Sequence, residues 1–227
     1  MDLSVVPSEG WGVLHLFFRA DSVVDAEAVV SAVKACEADD HTVVPFAILG
    51  HKGDFGVMAL GPDLWRLQQL QGDLVGAELD LVDSYLSMTE VSEYVKGMPP
   101  ERLEPRLHPQ LPPPEATVLC FYPMSKRREQ GANWYALPYE EREKLMFGHG
   151  TKAREFKGRV LQLVTASTGL DDWEWGVTLF SSDPLAIKQC VHELRFDPAS
   201  SVYAEFGPFT IGLMAPIDEV LRRVGVA

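Results

Sequence analysis

Apolar and polar residues follow the same order twice along this chain. In each half, an apolar run typical of a strand is followed by an amphipathic helical pattern and then by a second apolar run. We predict these strands at 12–18, 42–49, 117–123 and 159–165, and the final strand of each half from 79 and from 201. The repeated order indicates that the chain contains an internal structural duplication.

The strand and helix inside each half carry a direct sequence match. Aligning Gly56 with Gly176 also aligns Asp63 with Asp183, and both aspartates follow an aromatic-apolar strand. Asp183 is a good N-cap for the next helix, and Pro184 suits the first turn of that helix. Each half therefore has the order βαββαβ of a ferredoxin-like unit.

We divide the chain into an N-terminal half (1–95), a connector (96–115) and a C-terminal half (116–227). The connector holds seven of the sixteen prolines, so we expect it to be extended and non-helical. The predicted fold class is α+β, with two tandem ferredoxin-like halves whose open sheet faces form a dimeric α/β-barrel-like core. Two independent domains are the alternative.

The net charge and the spacing of the cysteines exclude several functional classes of protein. The net charge of -13 over 227 residues argues against nucleic acid as a partner, because phosphate binding needs a basic surface. No apolar run is long enough to span a membrane, and the first residues lack the pattern of a signal peptide. The spacing of Cys36, Cys120 and Cys190 fits no zinc or haem motif and no disulfide framework, so we expect buried free thiols and a cytoplasmic protein.

The stretch LMFGHG, residues 145–150, interrupts a predicted helix that starts after Pro138. His149 lies on its apolar face, which we expect to pack on the core, yet Gly148 and Gly150 flank it. Each glycine costs a helix interior about 1 kcal/mol relative to alanine. The glycines either clear a flat space for a macrocycle whose iron the imidazole binds, or allow close packing of helix on sheet.

Two further features lie near this helix. From 126 to 159 the chain has nine Lys or Arg and five Glu, a balance of +4 that indicates an anionic ligand near His149. Gln162 alternates with Val160 and Val164 on a strand whose two faces both look buried, so its amide needs a partner or a ligand. We interpret Trp173 and Trp175 as core residues. His192 is interpreted as structural, and no role is assigned to the following histidines: His15, His41 and His51.

Three segments, FYPMSKRREQGANWYALPYEEREKLMFGHG, STGLDDWEWGVTLF and LRFDPASSVYAEFGPF, resemble the chlorite dismutase superfamily. More narrowly, they resemble its coproheme decarboxylase branch, in the actinobacterial style. The resemblance implies two ferredoxin-like halves per chain, a ring-shaped homopentamer, and a haem pocket in the C-terminal half.

The resemblance also assigns residues. It places His149 at the proximal iron ligand, Tyr122 at a tyrosine that becomes a radical and attacks propionates, and Lys126 beside a reacting propionate. Met124 and Gln162 match distal-side positions, and His108 is the candidate for a distal base. The positions that would bind propionates are Ser200, Arg154, Ser92 and Tyr94.

The implied activity is hydrogen-peroxide-dependent decarboxylation of two propionates of iron-coproporphyrin III (coproheme), which gives haem b in the last step of a haem biosynthesis route. Coproheme would be both substrate and redox centre, and coproporphyrin ferrochelatase a transient partner. Chlorite-degrading relatives carry an arginine at the position of Gln162, and a neutral amide cannot supply that charge. The alternatives are a chlorite dismutase-like or peroxidase-like haem b enzyme, a non-catalytic haem carrier or sensor, and a barrel without a cofactor.

Overall fold

The computed structural model describes residues 3–20, 23–95, 97 and 99–226. Lys96 and Met98, at the start of the predicted connector, lie outside the described residues. The first half contains the predicted βαββαβ order. Its elements are β1 (Gly12–Arg19), α1 (Ala26–Glu37), β2 (Thr42–Ile48), β3 (Phe55–Gly61), α2 (Leu64–Gly76) and β4 (Asp80–Met88).

The rest of the chain repeats this order with insertions. Its elements are α3 (Pro100–Leu107), β5 (Val118–Lys126), β6 (Arg128–Glu129), β7 (Ala132–Asn133), a 3-10 turn (Trp134–Ala136), α4 (Tyr139–Arg154), β8 (Leu161–Ala166), β9 (Trp175–Ser181), α5 (Pro184–Leu194), α6 (Pro198–Ser201), β10 (Ala204–Phe206), β11 (Thr210–Met214) and α7 (Ile217–Arg223). The aligned aspartates have the same role in both halves. Asp63 accepts from the Trp65 N–H at 3.0 Å, and Asp183 accepts from the Leu185 N–H at 2.9 Å. Both therefore cap the helix that follows.

The two half-sheets join edge to edge into a closed barrel. Their strand orders are β2-β3-β1-β4 and β11-β5-β9-β8. The pair β11–β2 and the pair β4–β8 close the ring, and β10 extends one edge of β5. Because backbone hydrogen bonds run across both seams, the halves are not independent domains. The predicted α+β barrel-like core is confirmed.

The barrel interior is filled by aromatic and aliphatic side chains from both halves. Phe121 on β5 contacts three first-half rings, with centroid distances of 4.1 Å to His15, 5.7 Å to Phe17 and 5.2 Å to Tyr85. Helices α1 and α2 cover the outer face of the first half, and α5 covers that of the second, with α4 packed beside α5 and α6. The C-terminal helix α7 crosses back and packs on the first half. No helix in the described part of the chain is long and apolar enough to cross a membrane.

The expectation of a non-helical connector was wrong, because α3 forms there. Pro99 and Pro100 stand at the cap and first turn, where the missing N–H would have no helical acceptor in any case. Only Pro105 lies inside the helix. A short helix can therefore hold several prolines if most of them fall at its start.

The single final strand predicted from Ser201 was also wrong. The segment contains the end of α6 and two short strands, and both strands pair with the same edge of β5. Pro208 has no N–H to donate, which breaks the ladder between them. The Gly207 N–H still donates to the Pro123 carbonyl at 2.8 Å, so the chain stays close to β5 through the break.

Phe121→Ala should lower the free energy of unfolding by about 3–5 kcal/mol, because it leaves a cavity where the halves meet. Urea unfolding followed by circular dichroism measures this change. Phe147→Ala is the control, since that side chain is 70% exposed and its loss should matter little. Equal effects of the two substitutions would contradict the shared core.

Candidate active site

The alternation of side chains along β5 separates the core from the site. Phe121 points into the barrel, whereas Tyr122, Met124 and Lys126 lie on the outer face. The register across β9 and β8 aligns Tyr122 with Val177 and Val164. Helix α5 covers this outer face, and Ala153 of α4, the helix that carries His149, packs against the same cluster as Tyr122.

Tyr122 is buried among aromatic rings. Its ring stacks on Phe209 at 4.3 Å between centroids and lies 5.9 Å from Phe206. Burial raises the pKa of its phenol above the ordinary value, so the hydroxyl is protonated at neutral pH. Among the described residues, no side chain or backbone group hydrogen-bonds this hydroxyl, which leaves its O–H available to a ligand.

Helix α4 does not bury an apolar face in the core, contrary to expectation. None of its residues is buried, and Leu145, Met146 and Ala153 are only half-buried. The helix lies beside the sheet rather than pressed onto it, with contacts chiefly to α5 and α6. His149 is accordingly 27% exposed in its side chain.

The glycines beside His149 are not required by packing within the chain. A Cβ built at Gly150 would meet nothing within 4 Å, and one at Gly148 would meet only Asp197 Oδ2, at 4.0 Å. Both glycines have ordinary helical backbone angles. Close packing of helix on sheet therefore does not explain them, and open space above the helix does.

Asp197 orients the histidine. Its carboxylate is buried at the start of α6, where Oδ1 accepts from the Ala199 N–H at 2.9 Å and from His149 Nδ1 at 3.2 Å. Burial lowers the pKa of His149, and the carboxylate opposes this shift. A neutral imidazole whose Nδ1–H is held by a carboxylate leaves Nε2 as the ligating atom. Sequence reasoning missed Asp197, although its Asp-Pro cap pattern was visible.

Lys126 is buried between α6 and an indole. Its Nζ donates to the Ala199 carbonyl at 2.8 Å and lies 4.2 Å from the centroid of the Trp134 ring. Burial lowers its pKa to about 8, while Asp197 and Glu174 oppose the shift. The ammonium is therefore placed at the same helix start that orients His149.

Gln162 lies between β8 and α4. Its Nε2 is 3.5 Å from the Ala153 carbonyl, which is at most a weak hydrogen bond. The expectation that both faces of this strand are buried was wrong, because Val164 on the same face is 48% exposed. On the inner face Leu163 is buried in the barrel while Leu161, at the start of the strand, is 45% exposed, and the outer face is open at Val164.

A cavity of about 490 Å³ adjoins Tyr122 on the side of Phe206 and Phe209. Ser200, which the resemblance assigns to propionate binding, lines it together with Arg127 of the basic segment and Arg195, a residue to which sequence reasoning gave no role. The Arg195 guanidinium lies 3.7 Å from the centroid of Phe206. Two guanidinium groups against the one carboxylate of Glu205 leave the lining net positive, which suits an anionic ligand with an apolar body.

The remaining predicted residues are more dispersed. Tyr94 reaches the second half, where its ring stacks on Tyr139, and its N–H donates to Ser92 Oγ at 3.4 Å. Arg154 is exposed at the last turn of α4. His108 ends α3, where its Nδ1 lies 2.7 Å from a Glu104 carboxylate oxygen and its ring lies 4.9 Å from Trp11. These contacts do not bring His108 to the site, so its distal role stays a prediction.

Other side chains singled out in the sequence have structural surroundings. All three cysteines are free and buried, as predicted. His192 packs on Phe196, with 5.1 Å between ring centroids. Within the described residues, no group of three His, Cys, Asp or Glu could hold a bare metal ion. A single histidine is sufficient for an iron that a macrocycle already coordinates.

The profile of the chlorite dismutase family matches residues 19–215. The chain is 37% identical to the coproheme decarboxylase of Staphylococcus carnosus, over 94% of this chain and 95% of that protein. It is 39% identical over 90% of its length to a putative haem-binding protein of Natronomonas pharaonis, of which it spans only 39%. This chain belongs to the chlorite dismutase family.

Similar solved structures agree with this family assignment. A haem-binding protein from Thermus thermophilus superposes with a TM-score of 0.84 at 37% identity, covering 96% of both chains. A chlorite dismutase variant from Candidatus Nitrospira defluvii superposes with a TM-score of 0.76 at 21% identity, covering 96% of this chain and 97% of that one. The second likeness concerns the fold alone.

Gly150→Ala should raise the free energy of unfolding of the ligand-free protein by up to about 1 kcal/mol, because alanine favours the helix and its Cβ meets open space. Thermal unfolding measures the change. Gly176→Ala is the matched control: its added Cβ would lie 2.7 Å from Tyr85 Cε1, so it should destabilise. Destabilisation by Gly150→Ala would show that the glycine serves packing.

Lys126 should titrate near pH 8, well below the 10.5 of an ordinary lysine. Its charged form destabilises the fold. The free energy of unfolding is lowered in full below pH 8, where the folded and the unfolded chain both hold the proton. It rises between pH 8 and 10.5, because the folded protein has released the proton while the unfolded chain still binds it. NMR titration of ¹³C-labelled lysine side chains measures the midpoint, and Lys126→Met should remove that resonance. A midpoint at the ordinary lysine value would contradict the burial argument.

Proposed function

We propose that this protein is a coproheme decarboxylase, which uses hydrogen peroxide to convert two propionates of coproheme into vinyl groups and so forms haem b. Its likeness to the Staphylococcus carnosus coproheme decarboxylase over nearly the full length of both proteins supports this reaction. The observation that carries the proposal is the open helix surface around the partly exposed, glycine-flanked His149, on the same half of the barrel whose outer face carries Tyr122.

His149 is the residue that would hold the iron. Its side chain is partly exposed, Asp197 orients the ring, and the flanking glycines leave the helix surface flat. An axial histidine with a carboxylate on its other nitrogen is a usual arrangement for a metal-bound imidazole. The residues present therefore fit a porphyrin iron.

The charge near Tyr122 fits a substrate with four carboxylates. Arg127, Arg195 and Ser200 line the adjoining cavity, and Lys126 lies on the same strand face as the tyrosine. Propionates bound by these groups would be positioned close to the phenol. Arg154, Ser92 and Tyr94 are further candidates for propionate binding, supported by family resemblance more than by their present contacts.

Coproheme, when bound, supplies the iron at which peroxide is reduced and the propionates that react. Tyr122 then loses an electron and a proton from its O–H, and the neutral radical takes a hydrogen atom from the propionate carbon next to the ring. Loss of a second electron and of carbon dioxide leaves the vinyl group. For each propionate, one peroxide and one proton are consumed, and one carbon dioxide and two waters are released. Two such turnovers give haem b.

Met124 and Gln162 complete the proposed distal side. The amide of Gln162 is neutral, so it lacks the cation that chlorite degradation uses in other branches of the family. This favours decarboxylation over chlorite chemistry. His108 would become a distal base only if the connector moved toward the sheet.

We also propose a homopentamer in the cytoplasm, with hydrogen peroxide as co-substrate and coproporphyrin ferrochelatase as a transient partner. Family resemblance supports the assembly, and the three buried free thiols are consistent with a reducing compartment. The halves 1–95 and 116–227 and the connector 96–115 remain our proposed organisation of the chain.

Tyr122→Phe should still bind ferric coproheme, because it keeps the ring that stacks on Phe209. It should produce no haem b on addition of peroxide, because it lacks the O–H that the radical step requires. Absorption spectroscopy measures binding, and mass detection of the porphyrin measures the products.

His149→Ala is the complementary variant, and it should weaken binding and abolish the spectrum of the histidine-bound iron. Normal haem b formation by Tyr122→Phe would remove the tyrosyl mechanism. An unchanged spectrum in His149→Ala would place the iron ligand elsewhere.

A further inference from the structure

Four redox-active rings form a cluster, three from the second half and one, Tyr94, from the end of the first. Trp134 lies 5.5 Å from Tyr203 and 6.5 Å from Tyr94 between ring centroids, and Tyr94 stacks on Tyr139 at 5.8 Å. We call these four residues the aromatic cluster. Trp134 is buried, whereas the three tyrosines are partly exposed. The cluster therefore runs from the interior to the surface.

The inner end of the cluster adjoins the candidate active site. Lys126 Nζ lies over the Trp134 ring and donates to the Ala199 carbonyl of α6. Asp197 at the start of the same short helix orients His149. Trp134 is thus linked to the iron-binding residue through two intervening side chains and one helix turn.

The composition of the cluster is not what packing alone favours. Among the described buried residues of the barrel interior, on the other side of the sheet, four of the five phenylalanine, tyrosine and tryptophan rings are phenylalanines: Phe17, Phe46, Phe121 and Phe180, with Tyr85 as the fifth. The aromatic cluster contains no phenylalanine, although phenylalanine fills space as well as tyrosine and needs no polar partner. Indole and phenol rings differ from it in that they readily lose one electron, with the proton of their N–H or O–H.

We infer that the aromatic cluster carries oxidising equivalents from the active site to the surface, where they are discharged away from substrate and iron. This goes beyond the proposed function and rests on it only for a bound iron porphyrin and peroxide. Reduction of one hydrogen peroxide to two waters takes two electrons and two protons. Oxidation of one indole N–H and one phenol O–H to neutral radicals supplies both. The indole radical then takes an electron and a proton from a second tyrosine, and the two phenoxyl radicals couple to a dityrosine or are reduced by a one-electron donor such as a soluble thiol.

Lys126 makes oxidation of the aromatic cluster less favourable than oxidation of Tyr122. Its ammonium over the Trp134 ring opposes removal of an electron from the indole, since a positive charge destabilises a second positive charge close by. Tyr122 lies four residues earlier on β5 and has no such contact with the ammonium among the described residues. The route then carries oxidising equivalents chiefly when no propionate is available to react.

The experiment loads the protein with haemin, adds peroxide and a nitroso spin trap, and maps the labelled tyrosines by peptide mass spectrometry. Tyr135 is the internal control, because it is 45% exposed and follows Trp134 directly, yet it makes no ring contact with the cluster in the described structure. We expect more label on Tyr94 and Tyr203 than on Tyr135. Most label on Tyr135 would show that oxidation follows exposure and would overturn the inference.

Two variants test the direction of transfer. Trp134→Phe keeps a ring and should lower the label on Tyr94 and Tyr203 several-fold without changing Tyr135. Lys126→Met removes the cation and should raise the label on the same two tyrosines, whereas Lys126→Arg should not. Unchanged labelling of Tyr94 and Tyr203 in Trp134→Phe would overturn the route, and lowered labelling in Lys126→Met would overturn the role of the lysine.

Haemin separates this inference from the decarboxylase proposal, because the labelling needs no coproheme turnover. The shift of the Soret band on adding haemin reports porphyrin binding before peroxide is added. Failure to convert coproheme, with the expected labelling pattern still present, would leave the route standing and remove the decarboxylase proposal. Normal conversion of coproheme with label chiefly on Tyr135 would support the decarboxylase proposal and overturn the route through the aromatic cluster.

Discussion

Closure of the barrel is the constraint on which the rest of the structure depends. Once β11 pairs with β2 and β4 pairs with β8, each strand of the second half has one face inside the barrel and one face outside. The inner face must then be filled, and Phe121 fills it against rings from the first half. The next residue, Tyr122, is thereby directed outward. A register shift of one residue would exchange core and site.

The outer face contrasts with the well-packed interior. Helix α4 lies beside it without burying any of its own residues, and Val164 and Gln162 remain accessible under it. In a protein without a ligand, such a helix would be expected to bury its apolar stripe on the sheet. The glycines at 148 and 150 and the partly exposed histidine between them fit a helix whose packing partner is a flat ligand rather than the sheet.

Asp197 connects the backbone of the fold to the chemistry of the site. The same carboxylate oxygen that caps α6 also accepts from the imidazole, so the orientation of His149 is tied to a helix start rather than to a mobile side chain. Lys126 donates to the Ala199 carbonyl in the first turn of the same helix and lies over the Trp134 ring. His149, Lys126 and Trp134 of the aromatic cluster are therefore all held, directly or through one contact, by the same short helix.

The sequence alone determined the repeat, the strand alternation and the helix caps, because these depend on local spacing: Asp63 and Asp183 cap matching helices as predicted. The same is true of His149 between its glycines and of Tyr122 on a strand face, since both follow from motif and period. Closure of the barrel, the helix in the connector and the break at Pro208 depended on long-range pairing, which spacing does not encode. Asp197, Arg127 and Arg195 lie within segments that the sequence already marked by resemblance, but only the tertiary structure decided what they contact: Asp197 accepts from His149, and the two arginines line one cavity, because residues distant in sequence become neighbours only after packing.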